Sequence, residues 1–242
     1  MTAVTAATVL IVALSFFLGA LTQSVAGFGM ALVAMPLLAH SVGLEVATPL
    51  MALVGMVVRV GIMLAYREPF ELRAMGLLTL AAVLATPLGV LLLAWVDDHA
   101  ARVTLGVVVV AYAVYMLLKV KPPRLAGRGW PWVFGIAAGV LHGAFNAGGP
   151  PAVVYASTQD WTPEAFKSNL QVFAIVVGVG VIVSHAVAGN YTVALLPYGW
   201  AATLASVLGL LAGVGLARLI PAARFQKVVL VLLIVTGLNL MV

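Results

Sequence analysis

The chain has 242 residues, 64% of them hydrophobic and only 8% charged, with a mean hydropathy of +1.20. A soluble domain carries about 25% charged residues, so this chain lacks the charge to cover its own surface in water. Its formal charge of +5 lies in short segments between apolar runs, which argues against a nucleic-acid surface, and the absence of cysteine excludes disulfides and thiolate chemistry.

The first apolar run, 6–21, has no basic segment before it and is not read as a cleaved signal peptide. It continues into AGFGMALVAMPLL from Ala26, where Gly27 and Gly29 interrupt the helical pattern around Phe28. A helix over 5–25 would be ~30 Å long, enough for a whole crossing, so this first break lies nearer the inner surface unless the helix tilts. The run 46–65 holds Arg59, the one formal charge well inside a span. The charged loop YREPFELR follows, then the runs 74–96 and 103–118, each near the ~20 residues that cross a bilayer core. Such continuous runs lack the alternation of barrel strands, so every span is expected to be helical.

The polar stretch KVKPPRLAGRG, 119–129, divides the chain into a membrane repeat over 1–120, a basic cytoplasmic linker over 121–130 and a second membrane repeat over 131–242. In the second repeat His142 and Asn146 lead into a break at Gly148 and Gly149, and Pro150 and Pro151 suit the first turn of a restarting helix. Each repeat then shows a Leu-Gly pair (Leu88-Gly89, Leu208-Gly209), an Ala-Ala-Arg and a last apolar run, at an offset of about 120 residues. Weak internal symmetry of this kind marks transporter folds.

Basic residues decide the topology. If each glycine-broken stretch crossed as one helix, Lys and Arg in the loops would split six to five and orient nothing. If each enters and returns to the same side, ten (Arg67, Arg73, Lys119, Lys121, Arg124, Arg128, Lys167, Arg218, Arg224, Lys227) face one side and only Arg102 the other. The second arrangement satisfies the positive-inside rule. It predicts an all-α integral membrane protein of two inverted-topology repeats, each a re-entrant hairpin plus three transmembrane helices. It also places the protein in the bacterial inner membrane as a multi-pass protein with both termini periplasmic.

In that topology both restarting helices have their N-termini deep in the protein, offering partial positive charge and unpaired N–H groups to an anion. The expected donors are Gly29 to Ala31 in the first and Gly148, Gly149, Ala152 and Val153 in the second. The substrate-binding candidates are Gln23, Gly27, Phe28, Gly29, Arg59, His142, Asn146, Gly148, Gly149 and Pro150. Against each stands a plainer reading: glycines for close packing, a hydrogen-bonded core histidine, an arginine reaching the inner surface. Ser168, Asn169 and Gln171 are read as helix capping. All seven carboxylates fall in or beside loops, so neither a carboxylate proton relay nor an oxygen-rich cation cage is expected, and no metal or cofactor is called for.

The segments QSVAGFGMALVAMPLL from Gln23 and HGAFNAGGPPAVVYA from His142 resemble those of the sulfite exporter TauE/SafE family of membrane permeases. The likeness covers essentially the whole chain, although Phe28 stands where many members have a fuller glycine run. It implies export of small sulfur-containing anions such as sulfite or organosulfonates; the residues alone support only a small anion. An anion channel of the same architecture and a non-transporting structural subunit are the alternatives. An enzyme is not expected, because no Gly-x-Ser-x-Gly, His-Glu-x-x-His or paired intramembrane aspartates occur and no catalytic residue is assigned. The expected partners are the substrate anion, the bilayer and, from the Gly/Ala-rich spans, a second copy of the chain in a homodimer.

Overall fold

The computed structural model describes residues 5–66, 72–119, 122–125, 127 and 129–242. Arg67, Glu68 and Glu71 of the charged loop, together with Lys121 and Arg128, lie outside the described residues. The described chain is all helix apart from connections: α1 (Ala6–Ala26), α2 (Met30–Ser41), α3 (Leu44–Tyr66), α4 (Leu72–Trp95), α5 (Asp98–Leu118), α6 (Trp130–Phe145), α7 (Gly149–Ala156), α8 (Pro163–Val187), α9 (Leu196–Leu216) and α10 (Ala222–Leu240). Capping residues set several starts: Thr5 accepts from the Thr8 N–H, Asp97 from Ala100 and Thr162 from Ala165.

Six helical stretches among the described residues are long and apolar enough to cross a membrane: α1, α3, α4, α5, α8 and residues 193–216 through α9. The sequence also predicts six crossings, α3, α4, α5, α8, α9 and α10, with α1 as one arm of a hairpin. α1 runs 21 residues without interruption, ~31 Å at the helical rise, and so is long enough to cross as well. Outward-facing side chains suit lipid rather than water: Leu10, Leu84, Leu91, Leu204 and Leu211 are exposed along the spans. Trp95 and Trp200 at one end and Trp130 and Trp132 at the other occupy the positions of interfacial aromatic belts.

Two helix pairs dominate the packing, α4 with α6 and α1 with α9. Both are parallel and both close through glycine. A Cβ at Gly135, Gly139 or Gly143 of α6 would strike the carbonyl of Leu78, Ala82 or Thr86 on α4, a constant offset of 57 residues. Gly209 and Gly213 of α9 meet Phe17 and Leu21 of α1 in the same way. Backbones approach this closely only where side chains are absent. α3 also packs on α8, and α5 on α10. Five hydroxyls inside the spans are satisfied locally: Ser15, Ser24, Thr48, Thr86 and Ser184 each donate to the carbonyl four residues earlier.

The chain leaves its helix twice inside an apolar stretch. α1 stops at Ala26 and α2 starts at Met30; α6 stops at Phe145 and α7 starts at Gly149. Each interruption is three residues long, and each opens on a left-handed C-cap, Gly27 (φ +82°) or Asn146 (φ +54°). Gly29 (φ +103°) also needs glycine's freedom.

Candidate functional site

Both interruptions border one cavity of about 70 Å³, room for a few water molecules. Of the ten residues singled out from sequence, Gln23, Gly27, Phe28, Gly29, Arg59, His142, Asn146 and Gly149 line it; Gly148 and Pro150 do not. Gly148 has a packing role instead, since a Cβ there would overlap the Ala138 carbonyl and approach His142 Nδ1 to 2.7 Å. Pro150 is buried in the first turn of α7, where its missing N–H costs nothing. By contrast Gly149 has nothing within 4 Å of its Cβ direction, because that direction opens on free space.

The centre of the site is Arg59. Its Nη2 lies 3.2 Å from His142 Nε2, so the guanidinium turns inward rather than towards the inner surface. Guanidinium can only donate. His142 Nε2 is therefore the acceptor, and the ring carries its proton on Nδ1. That leaves Arg59 Nη1 and His142 Nδ1 buried without partners. Among the described residues the ion pairs are Arg102–Asp98 at the start of α5 and Arg124–Asp160 between two connecting segments, so neither involves Arg59.

α8 fixes Arg59 at two points. Gln171 Nε2 donates to the Arg59 carbonyl at 3.0 Å. Seven residues on, and so on the same face of α8, Gly178 leaves the space that the guanidinium fills, for a Cβ there would lie 2.7 Å from Nη1. Gln171 lines the cavity, and the expected helix-capping role falls to Thr162. Sequence reading missed Gln171, and Tyr112 as well. A tyrosine in an apolar helix carries no local signal, and Tyr112 enters the site only because Phe28 packs edge-on against it, 5.9 Å between ring centres.

The other polar groups are partly committed. Gln23 Oε1 accepts from the Met30 N–H at 3.0 Å, so the end of α1 caps the start of α2. The first-turn N–H groups left at α2 are those of Gly29, Ala31 and Leu32. At α7, the two prolines and a start at Gly149 reduce the donors to Gly148 and Gly149, so Ala152 and Val153 fall inside the helical ladder. Asn146 is the cap of α6 rather than part of its face; its Nδ2 donates to the Thr48 carbonyl at 2.8 Å, and its Oδ1 has no partner. The hydroxyls of Ser24 and Ser184 are spent on their own helices, and that of Ser157 on the Val154 carbonyl and Tyr115. None pairs with His142.

The cavity is thus lined by one permanent cation, by two side chains with an unpartnered N–H, by the unpartnered Tyr112 hydroxyl and by two helix starts, among the apolar side chains of Phe28, Met30, Met51, Leu170 and Phe173. Such a set stabilises negative charge. A family model described as Sulfite exporter TauE/SafE matches residues 11–240. Neither the curated proteins nor the solved structures gave a match.

Proposed function

The chain belongs to the sulfite exporter TauE/SafE family, and from that premise we propose that it carries a small sulfur oxyanion across the membrane, bound in the cavity at Arg59. One observation carries this reading: a guanidinium deep in an apolar bundle, with Nη1 buried and, among the described residues, no carboxylate paired with it. Charge at that depth is costly unless something neutralises it. A transported anion is that counter-ion.

The mechanism is alternating access between two inverted repeats, with α1 to α5 forming one and α6 to α10 the other. Three relations support it. α1 of the first repeat packs on α9 of the second as α6 of the second packs on α4 of the first. α3 packs on its counterpart α8, and α5 on α10. Both three-residue interruptions border the same cavity, as expected of re-entrant hairpins that meet near a pseudo-twofold axis. In this reading the linker is cytoplasmic and both termini are periplasmic in an inner membrane, which the bias of basic residues in the loops supports. Export then runs with the potential, since a negative charge leaving a negative interior gains ~2.3 kcal/mol per 100 mV.

Arg59→Gln tests the site. It keeps a donor for His142 but removes the charge, so the apparent KM for sulfite in reconstituted vesicles should rise by about tenfold or more. A wild-type KM in that variant would remove Arg59 from the substrate path and return it to the role of an arginine that reaches the inner surface.

A further inference from the structure

The cavity is asymmetric in a way that bears on the protonation state of its ligand. Arg59 is the only formal charge among the described residues that line it. A dianion there would leave one negative charge facing only the partial charges of two helix starts in a low-dielectric interior, whereas a monoanion is matched by the guanidinium. The hydrogen-bonding groups add a second constraint. With Nη2 of Arg59 given to His142, and Nδ2 of Asn146 given to the Thr48 carbonyl, the lining residues keep two unpartnered side-chain N–H donors, the Tyr112 hydroxyl, which can give or take, the first-turn N–H groups of α2 and α7, and one group that can only accept. The acceptor is Asn146 Oδ1, in a residue 3% exposed. Its orientation is fixed, because a carbonyl partner admits only the NH₂ end. An acceptor of this kind repels a bare oxyanion oxygen and takes an O–H.

From these two features, which rest on the reading of this cavity as the anion site, we infer that the bound species is a singly charged, protonated oxyanion: hydrogensulfite rather than sulfite. Its two unprotonated oxygens take the N–H groups of Arg59 and His142, and its O–H donates to Asn146 Oδ1. Sulfate fails on charge. Methanesulfonate meets the charge but lacks the donor.

Calorimetric titration of the full-length protein in detergent, with sulfite, methanesulfonate and sulfate across neutral pH, tests this. Apparent affinity for total sulfite should fall by about tenfold per pH unit on the alkaline side of the hydrogensulfite ionisation. Methanesulfonate has no proton to lose, so its affinity reports any titration of the protein itself and should stay flat. Sulfate should show no saturable heat. Asn146→Gly keeps the left-handed backbone while removing the amide, and should lower the sulfite-to-methanesulfonate affinity ratio by about tenfold. Sulfite affinity that is flat or rises with pH, beside flat methanesulfonate affinity, would mean that the dianion is accepted; it would overturn this inference and leave the anion site standing. An unchanged ratio in Asn146→Gly would overturn the role of Oδ1. Absence of binding by both sulfite and methanesulfonate at every pH would overturn the anion site, and this inference with it.

Discussion

Arg59 of α3 and His142 of α6 lie 83 positions apart in the chain and meet at 3.2 Å between Nη2 and Nε2, each with one further N–H group left buried and free. The pair is a donor platform whose ring tautomer is set by the arginine. His142→Gln is expected to keep an acceptor for Arg59 but misplace the second donor, raising the apparent KM for sulfite by about tenfold with folded yield unchanged. His142→Leu, which leaves Nη2 unpaired as well, should be the more severe variant. Equal kinetics in the two variants would contradict the platform.

Gly178 makes room for that platform without touching it chemically. A methyl group there would lie 2.7 Å from Arg59 Nη1 and 2.9 Å from Met56 Cε. Gly178→Ala is therefore expected to reproduce much of the Arg59→Gln defect. Gly180→Ala, whose Cβ meets only ordinary contacts from 3.6 Å outward, should transport like the parent. Uptake kinetics of the two variants side by side check this; a wild-type KM in Gly178→Ala would show that the guanidinium moves freely.

The glycines divide into two kinds that sequence does not separate. Gly139→Ala would drive a methyl group into the Ala82 carbonyl and is expected to cost about 1–3 kcal/mol of stability. It should read out as a lower thermal midpoint in detergent. Gly149→Ala meets nothing within 4 Å and should leave that midpoint in place while the cavity narrows and sulfite affinity falls. Reversed outcomes would exchange the packing and binding roles assigned here.

Gln23 offers a test of charge at constant shape. Gln23→Glu retains the oxygen that accepts from the Met30 N–H, so α2 should keep its start. The added negative charge on the cavity wall should weaken anion binding by at least about tenfold. A thermal midpoint near wild type together with lost binding is the expected pair of results. Retained binding would place the Gln23 side chain out of reach of the anion.

Much of the scaffold was legible in the sequence because bilayer physics writes in long letters. Apolar length located α3, α4, α5, α8 and α9, and glycines in apolar context located both interruptions. Arg59 stood out because a charge inside a span is rare. What the sequence could not supply was partnership across distance. Nothing local to His142 says that it faces Arg59, and nothing local to Gln171 says that it reaches the Arg59 carbonyl rather than capping its own helix. Gly148 and Gly149 look alike in one dimension, and only the neighbouring α6 backbone makes the first a packing residue. The length of α1 was the clearest departure from the re-entrant pattern: its apolar run does not weaken before Gly27, so the helix continues past the depth that symmetry with the 16-residue α6 would give.

The measurement closest to the central claim is uptake of labelled sulfite into proteoliposomes under an imposed membrane potential, with wild type and Arg59→Gln compared at equal reconstituted protein. A carrier of a singly charged anion should show saturable uptake into an inside-positive lumen, limited by a gradient of about fiftyfold per 100 mV, and the variant should need about tenfold more substrate for half-maximal rate. Uptake no faster than in protein-free vesicles, from protein shown to be folded and inserted, would contradict the account, as would equal kinetics in the two proteins.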